Sequence, residues 1–252
     1  MYCFDKNYSY FYDHLYKEKK YNKEFSTIKK VIKKYLNKPK SLMDLGCGTG
    51  NYSKLMTDLG MEVLGVDASA HMLKIAKKKY KMNKRLKFIH CDINNLKIYK
   101  KFDIISALFH ILSYQTTTKN ILKFFANSQK HLKKNGILIF DFWFKDGVLN
   151  LKHPLKRRIV TNKTFTIYRV TRSNWLKKID QIHDTHEMIV INKKNNKTKI
   201  FQETHKMKFF TLKMIKKYLK INKFKYLLSL DLSTNKPVSK NTWGALVVAK
   251  KI

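Results

Sequence analysis

The sequence predicts an α/β fold: a mainly parallel sheet covered by helices on both faces, interrupted late by antiparallel strands. Three observations lead there. Between residues 41 and 143, short apolar runs alternate with segments of helical period. The links between them are short, a βαβαβ rhythm that implies parallel strands buried on both sides. After about residue 150 the rhythm stops, and β-branched and aromatic alternation continues with no helix between segments.

The elements follow in order. Residues 1–40 open on an aromatic-rich stretch and then a helical one, KEFSTIKKVIKKYL, in which Phe25, Ile28, Val31, Ile32, Tyr35 and Leu36 share one face. Pro39 ends it. SLMDL (41–45) is a strand, and 50–59 a helix closed by Gly60. MEVLGVD (61–67) is a strand and 69–80 a helix. LKFIHCD (86–92), FDIISALF (102–109) and GILIFDFW (136–143) are further strands, with a helix over 118–133. Segments 158–172, 179–191 and 198–210 read as an antiparallel insertion, with KKNNK (193–197) as a hairpin tip. Residues 211–223 return to helix, and 225–232 and 242–250 are closing strands. The expected organisation is a core over 1–150 with a helical lid at its start, an insertion over 151–210, and a return to the core over 211–252.

With 44% hydrophobic residues the chain can bury a core, which excludes disorder. The longest apolar stretches are broken by His110 and Asp141 and fall short of the ~20 residues a membrane span needs. Cys3, Cys47 and Cys91 form no CxxC pair and read as reduced thiols of a cytoplasmic protein. The net charge of +37 suggests nucleic acid, but only Arg85, Arg157, Arg158, Arg169 and Arg172 are arginine, the residue of bidentate phosphate and guanine contacts. Lysine lies in nearly every segment beside abundant Asn and Ile, a pattern of compositional drift over a solvated surface.

Chemistry concentrates in MDLGCGTGNYSKLM (43–56). Gly46, Cys47, Gly48, Thr49 and Gly50 follow a strand directly and open a helix, where glycines permit a tight turn and close backbone approach to a ligand. Asp67 lies 21 residues past Gly46 (67 − 46), at the end of the second strand, where an acid accepts from ribose hydroxyls. The spacing is GxGxG, and Asp44 precedes the first glycine. A carboxylate there would oppose a pyrophosphate and suit a ligand with an ammonium and a sulfonium. Asp92 follows the third strand, where it can accept from an adenine amino group.

DLGCGTG, GVDAS with HML after it, FIHCDI and HLKKNGILIFD together resemble a class I S-adenosylmethionine (SAM)-dependent methyltransferase. The resemblance implies a Rossmann-like fold with a mainly parallel seven-stranded sheet and an antiparallel insertion after the fifth strand. It implies SAM as cofactor, S-adenosylhomocysteine as product, and Asp44, Gly46, Cys47, Gly48 and Gly50 around the methionyl end. Asp67 would hold the ribose, Ala68 and Met72 the ribose or adenine, and Asp92 and Ile93 the adenine. Phe109 and His110 would line the methyl-transfer site. YFYDHLYKEKKY (10–21), ALFHILSYQTT (107–117), FDFWFKDGVL (140–149), QETHKMKFF (202–210) and NTWGALVVAK (241–250) are similar to sugar N-methyltransferases acting on nucleotide-linked aminodeoxyhexoses. That likeness implies an insertion serving as substrate lid or dimer interface, in a monomer or homodimer.

An amine must lose its proton before it attacks the sulfonium methyl, and a modest base suffices. The candidates are His110, Tyr114 and His205. Tyr21 is expected to close over the methionyl group, and Tyr12, Tyr16, Trp143 and Glu203 to contact substrate. His183 and His186 fall on opposite faces of a strand and make no metal pair, and no metal site is expected. The expected reaction is N-methylation of a small nucleotide-linked amino sugar. The alternatives are O-methylation of a small molecule and methylation of RNA, the latter favoured only by charge. LFHIL follows the fourth strand where an enzyme methylating base amines would carry N/D-P-P-Y/F.

Overall fold

The computed structural model describes residues 3–19, 21–151 and 155–252. Seven α-helices and eleven strands make up these residues. Helix α1 (Lys6–Leu15) and α2 (Tyr21–Tyr35) precede β1 (Ser41–Leu45), α3 (Asn51–Thr57), β2 (Glu62–Asp67), α4 (Ala70–Lys79) and β3 (Leu86–His90). Next come β4 (Phe102–Ala107), α5 (Thr118–His131), β5 (Leu132–Phe144) and α6 (Lys145–Leu151). The insertion is β6 (Lys156–Thr161), β7 (Phe165–Leu176), β8 (Gln181–Asn192) and β9 (Thr198–Phe210). Helix α7 (Leu212–Ile221), β10 (Phe224–Asp231) and β11 (Gly244–Lys251) close the chain.

Strands β3, β2, β1, β4 and β5 pair in that order, all parallel. Strand β11 pairs antiparallel with β5, and β10 with β11. The order reverses between β1 and β4, which opens a crevice at their C-terminal ends. The hydrogen-bonded sheet totals eleven strands where seven were expected. The cause is the length of β5, whose 13 residues carry Trp143 and Phe144 past the core, where Phe209 and Phe210 of β9 pair with them. That two-residue join ties the antiparallel ribbon β9-β8-β7-β6 to the parallel sheet.

One apolar cluster fills each face of the parallel sheet, Phe124, Phe140 and Phe142 on one side and Ile28, Ile104 and Val248 on the other. A third joins α1 to the insertion: Tyr8, Phe11, Tyr12 and Leu15 meet Phe165, Ile167, Met188 and Val190. On the opposite face of the ribbon Ile159, Tyr168, Ile189 and Ile200 stand exposed and directly paired across all four strands.

Three local features differ from the sequence reading. The aromatic opening is a helix, α1, whose buried Tyr8, Phe11, Tyr12 and Leu15 have helical spacing and whose Asp5 side chain accepts from Tyr8 N. Alternating Tyr8, Tyr10 and Tyr12 obscured that period. Residues 158–172 split into two strands because Asn162 Oδ1 accepts from Thr164 N and Phe165 N, folding a tight turn. Helix α6 forms where Gly147 lets the backbone reach Thr242; a Cβ there would lie 1.7 Å from Thr242 O.

Candidate active site

The loop after β1 turns back on β2: Gly46 N and Cys47 N both donate to Val66 O. Gly46 has φ +68°, and a Cβ on it would lie 2.2 Å from Ile111 Cδ1. Glycine is therefore required both for the backbone and for the approach of the turn after β4. Asp44, 2% exposed, accepts from Ser53 Oγ at 2.6 Å and Ser106 Oγ at 2.7 Å. Burial pushes its pKa up to about 6, against those two hydrogen bonds, which lower it. Asp67 accepts from Gly48 N at 2.7 Å and Ser69 N at 2.8 Å. Each carboxylate has lone-pair capacity left for a ligand. Burial also raises Asp67, while the Ser69 and Gly48 amides lower it.

On the far side of the crevice, Phe109 and His110 both have φ +66°. Two consecutive non-glycine residues in the left-handed region are costly, about 1–3 kcal/mol each, and such strain concentrates at functional positions. His110 N donates to Asp141 Oδ1 at 2.9 Å, and His110 Nδ1 lies 2.8 Å from Asp141 Oδ2. The second contact is electrostatic, because the ring N–H is not aligned on the oxygen. Burial would raise the Asp141 carboxyl, but the nearby His110 ring and its backbone N–H hold it below the ordinary value. Gly244 makes room for the ring, since a Cβ there would lie 2.8 Å from His110 Cε1.

A second histidine approaches from β9. His205 Nδ1 is 2.8 Å from Tyr114 Oη, and His205 Nε2 is 2.8 Å from Glu203 Oε1. Glu203 also accepts from Phe4 N at 2.7 Å and Asp5 N at 2.9 Å, holding the start of the chain beside the crevice.

These groups surround a cavity of about 290 Å³. Asp44, Gly46, Cys47, Gly48, Asp67 and Met72 line it, together with Tyr12, Tyr16, Tyr21, Phe109, His110 and Tyr114. Trp143, beside His110, and His205, beside Tyr114, line it as well. Five expected contacts lie off the cavity. Gly50 is the N-cap of α3, with its backbone against the Phe88 ring. The Ala68 carbonyl meets His90 Nε2 at 2.9 Å. Asp92 caps the turn over 93–95 by accepting from Asn94 N, and Ile93 is buried in the core. Glu203 stands behind His205, in contact with its Nε2.

The sequence reading missed Arg169, Thr171, Asp184 and His186, which reach the cavity from the inner face of β7 and β8, and Lys156 at the start of β6. The available signal was polarity on an apolar face: Arg169 follows Ile167 at i+2, and His186 precedes Met188. His183 contacts Gln181 instead. Burial, then the neighbouring His205, Arg169 and Lys156, push His186 down to about 2. Among the described residues no three His, Cys, Asp or Glu converge as a metal site, and no helix is long and apolar enough to cross a membrane. Cys3, Cys47 and Cys91 are free thiols.

Residues 42–136 match a methyltransferase domain family. That segment is a methyltransferase domain of the class I SAM-dependent kind, and its acidic strand ends and open glycine loop fit that cofactor. Among curated proteins, the ubiquinone biosynthesis O-methyltransferase of Pelagibacter ubique is 39% identical over 98 residues, 38% of this chain and 39% of that protein. The dTDP-3-amino-3,6-dideoxy-alpha-D-glucopyranose N,N-dimethyltransferase of Streptomyces fradiae is 23% identical over 131 residues, 52% of this chain and 50% of that protein. The chain spans about half the length of the curated relatives it matches. The fold extends further: the sugar N-methyltransferase KedS8 from Streptoalloteichus superposes with a TM-score of 0.83 at 18% identity, covering 100% of this chain and 94% of that one.

Proposed function

We propose that the whole chain is a SAM-dependent methyltransferase of small molecules, and that it N-methylates the amino group of a nucleotide-linked amino sugar. The observation that carries the reading is the composition of the cavity. Asp44, Asp67 and the glycine loop share its lining with two histidines, a tyrosine and the inner face of the insertion. A cavity walled by both the core and the insertion suits a small-molecule acceptor better than a strand of RNA.

When bound, SAM supplies an electrophilic methyl on a sulfonium. Asp44 would hold the ammonium, Asp67 the ribose hydroxyls, and the backbone around Gly46–Gly48 the rest of the methionyl end. His110 would take the acceptor's proton, with the Asp141 carboxylate stabilising the charge that develops on the ring. Tyr114, backed by His205 and Glu203, would orient the acceptor's lone pair along the methyl axis. Tyr12, Tyr16 and Tyr21 would exclude water. O-methylation is the second reading, favoured by the likeness to the Pelagibacter enzyme. The exposed Ile159, Tyr168, Ile189 and Ile200 face is where a homodimer would form, and a cytoplasmic setting agrees with the free thiols.

Mass spectrometry after incubation with SAM tests the proposal, using nucleotide-linked amino sugars and small amines in one pool and total RNA in another. Methylation of the first pool that is absent with Asp67→Ala is the expected result. Methylated RNA with an unchanged first pool overturns it.

A further inference from the structure

The cavity lining carries charges of both signs. Asp44 and Asp67 stand by the glycine loop, whereas Arg169 and Lys156 stand on the insertion wall with one carboxylate, Asp184. Asp184 accepts from Ser173 Oγ at 2.6 Å, and the charges of Lys156, His205 and Arg169 act on its carboxyl without any of them forming an ion pair with it. Arg158 and Arg172 each pair with a glutamate at 3.1 Å, but Arg169 and Lys156 form no ion pair among the described residues. The Arg169 Nη1 reaches Tyr16 Oη only at 3.4 Å, and its Cζ lies 5.7 Å from the Tyr16 ring. Its buried Nε has no acceptor among the described residues. Lys156, at the mouth, stands 5.3 Å from the Trp243 ring centre. His186 stays neutral on this wall and adds no charge.

A half-buried guanidinium with a free Nε–H presents a planar fork of donors that fits a carboxylate or phosphate bidentately. A second cation at the mouth steers such a group inward. We infer that Arg169 and Lys156 form an oxyanion subsite, and that the methyl acceptor carries a phosphate or a carboxylate. The inference rests on the methyltransferase reading above. The same chemistry serves the pyrophosphate of a nucleotide-linked sugar or the carboxylate of a smaller acceptor.

Calorimetry on the full chain separates these cases. S-adenosylhomocysteine is titrated first; inorganic pyrophosphate and acetate are then titrated into its complex at 150 mM salt, with wild type, Arg169→Gln, Lys156→Gln and Arg172→Gln. Arg172 lies on the outer face of the same strand and controls for non-specific attraction to a chain of net charge +37. The expected result is saturable binding of one anion, weakened tenfold or more by Arg169→Gln and severalfold by Lys156→Gln, with Arg172→Gln and the S-adenosylhomocysteine affinity unchanged. Pyrophosphate alone binding assigns a phosphate-bearing acceptor, and acetate alone a carboxylate. If Arg169→Gln does not fold, the Lys156→Gln arm decides. Anion binding indifferent to both variants, or absent while S-adenosylhomocysteine binds, overturns the subsite. Absence of S-adenosylhomocysteine binding overturns the methyltransferase reading and the subsite with it.

Discussion

His110 Nδ1 lies 2.8 Å from Asp141 Oδ2, and Asp141 is 1% exposed at a central position of β5. Asp141→Asn preserves the shape and an oxygen for His110 N but removes the charge. The expected outcome is a kcat loss of roughly 10- to 100-fold, within what a positioned base contributes. KM for the acceptor is expected to change less than kcat. An unchanged kcat removes Asp141 from any support of His110 as base.

Asp44 titrates near pH 6 in the protein because burial outweighs its two serine hydrogen bonds. An ammonium-bearing ligand needs the carboxylate ionised. S-adenosylhomocysteine affinity is therefore expected to be flat above pH 7 and to fall by up to about tenfold per unit below pH 6. Asp44→Asn should bind more weakly at pH 7.5 and lose that dependence. Equal slopes for the two proteins would place the ammonium elsewhere.

Glu203 holds Phe4 N, Asp5 N and His205 together. Glu203→Gln keeps one acceptor oxygen but loses the charge that strengthens both amide bonds. Hydrogen exchange at Phe4 and Asp5 should quicken severalfold, with KM for the acceptor rising more than kcat falls. Unaltered exchange would mean that α1 is held by the apolar contacts of Tyr8, Phe11, Tyr12 and Leu15 alone.

His186 titrates near 2 when folded, well below the ~6.5 of an unfolded chain. The unfolded state takes the proton first, so this contribution to stability is complete above about pH 6.5 and is lost as pH falls. The slope is at most about 1.4 kcal/mol per pH unit. His186→Gln, which retains a hydrogen-bond partner for Thr171, should flatten the fall of Tm between pH 6.5 and 4. A wild-type slope retained by the variant would assign that acid sensitivity to other groups.

The parallel core and the glycine loop proposed to hold the cofactor could be read from the sequence alone. The apolar runs sit one per strand, and Asp44, Gly46, Gly48 and Asp67 fall at strand ends by counting residues. A βαβ unit converts local spacing into spatial position with little freedom, so those groups were legible without contacts. Tyr114 and His205 could be named as residue types, but their 2.8 Å contact spans 91 positions. Only tertiary structure decided that Arg169 meets Tyr16 across 153 positions, that Glu203 grips the start of the chain, and that Asp141 backs His110. Long-range pairing depends on how β5 extends to join β9 and on which face of the ribbon turns inward. Period-two alternation marks the two faces of a strand but does not say what stands opposite either one.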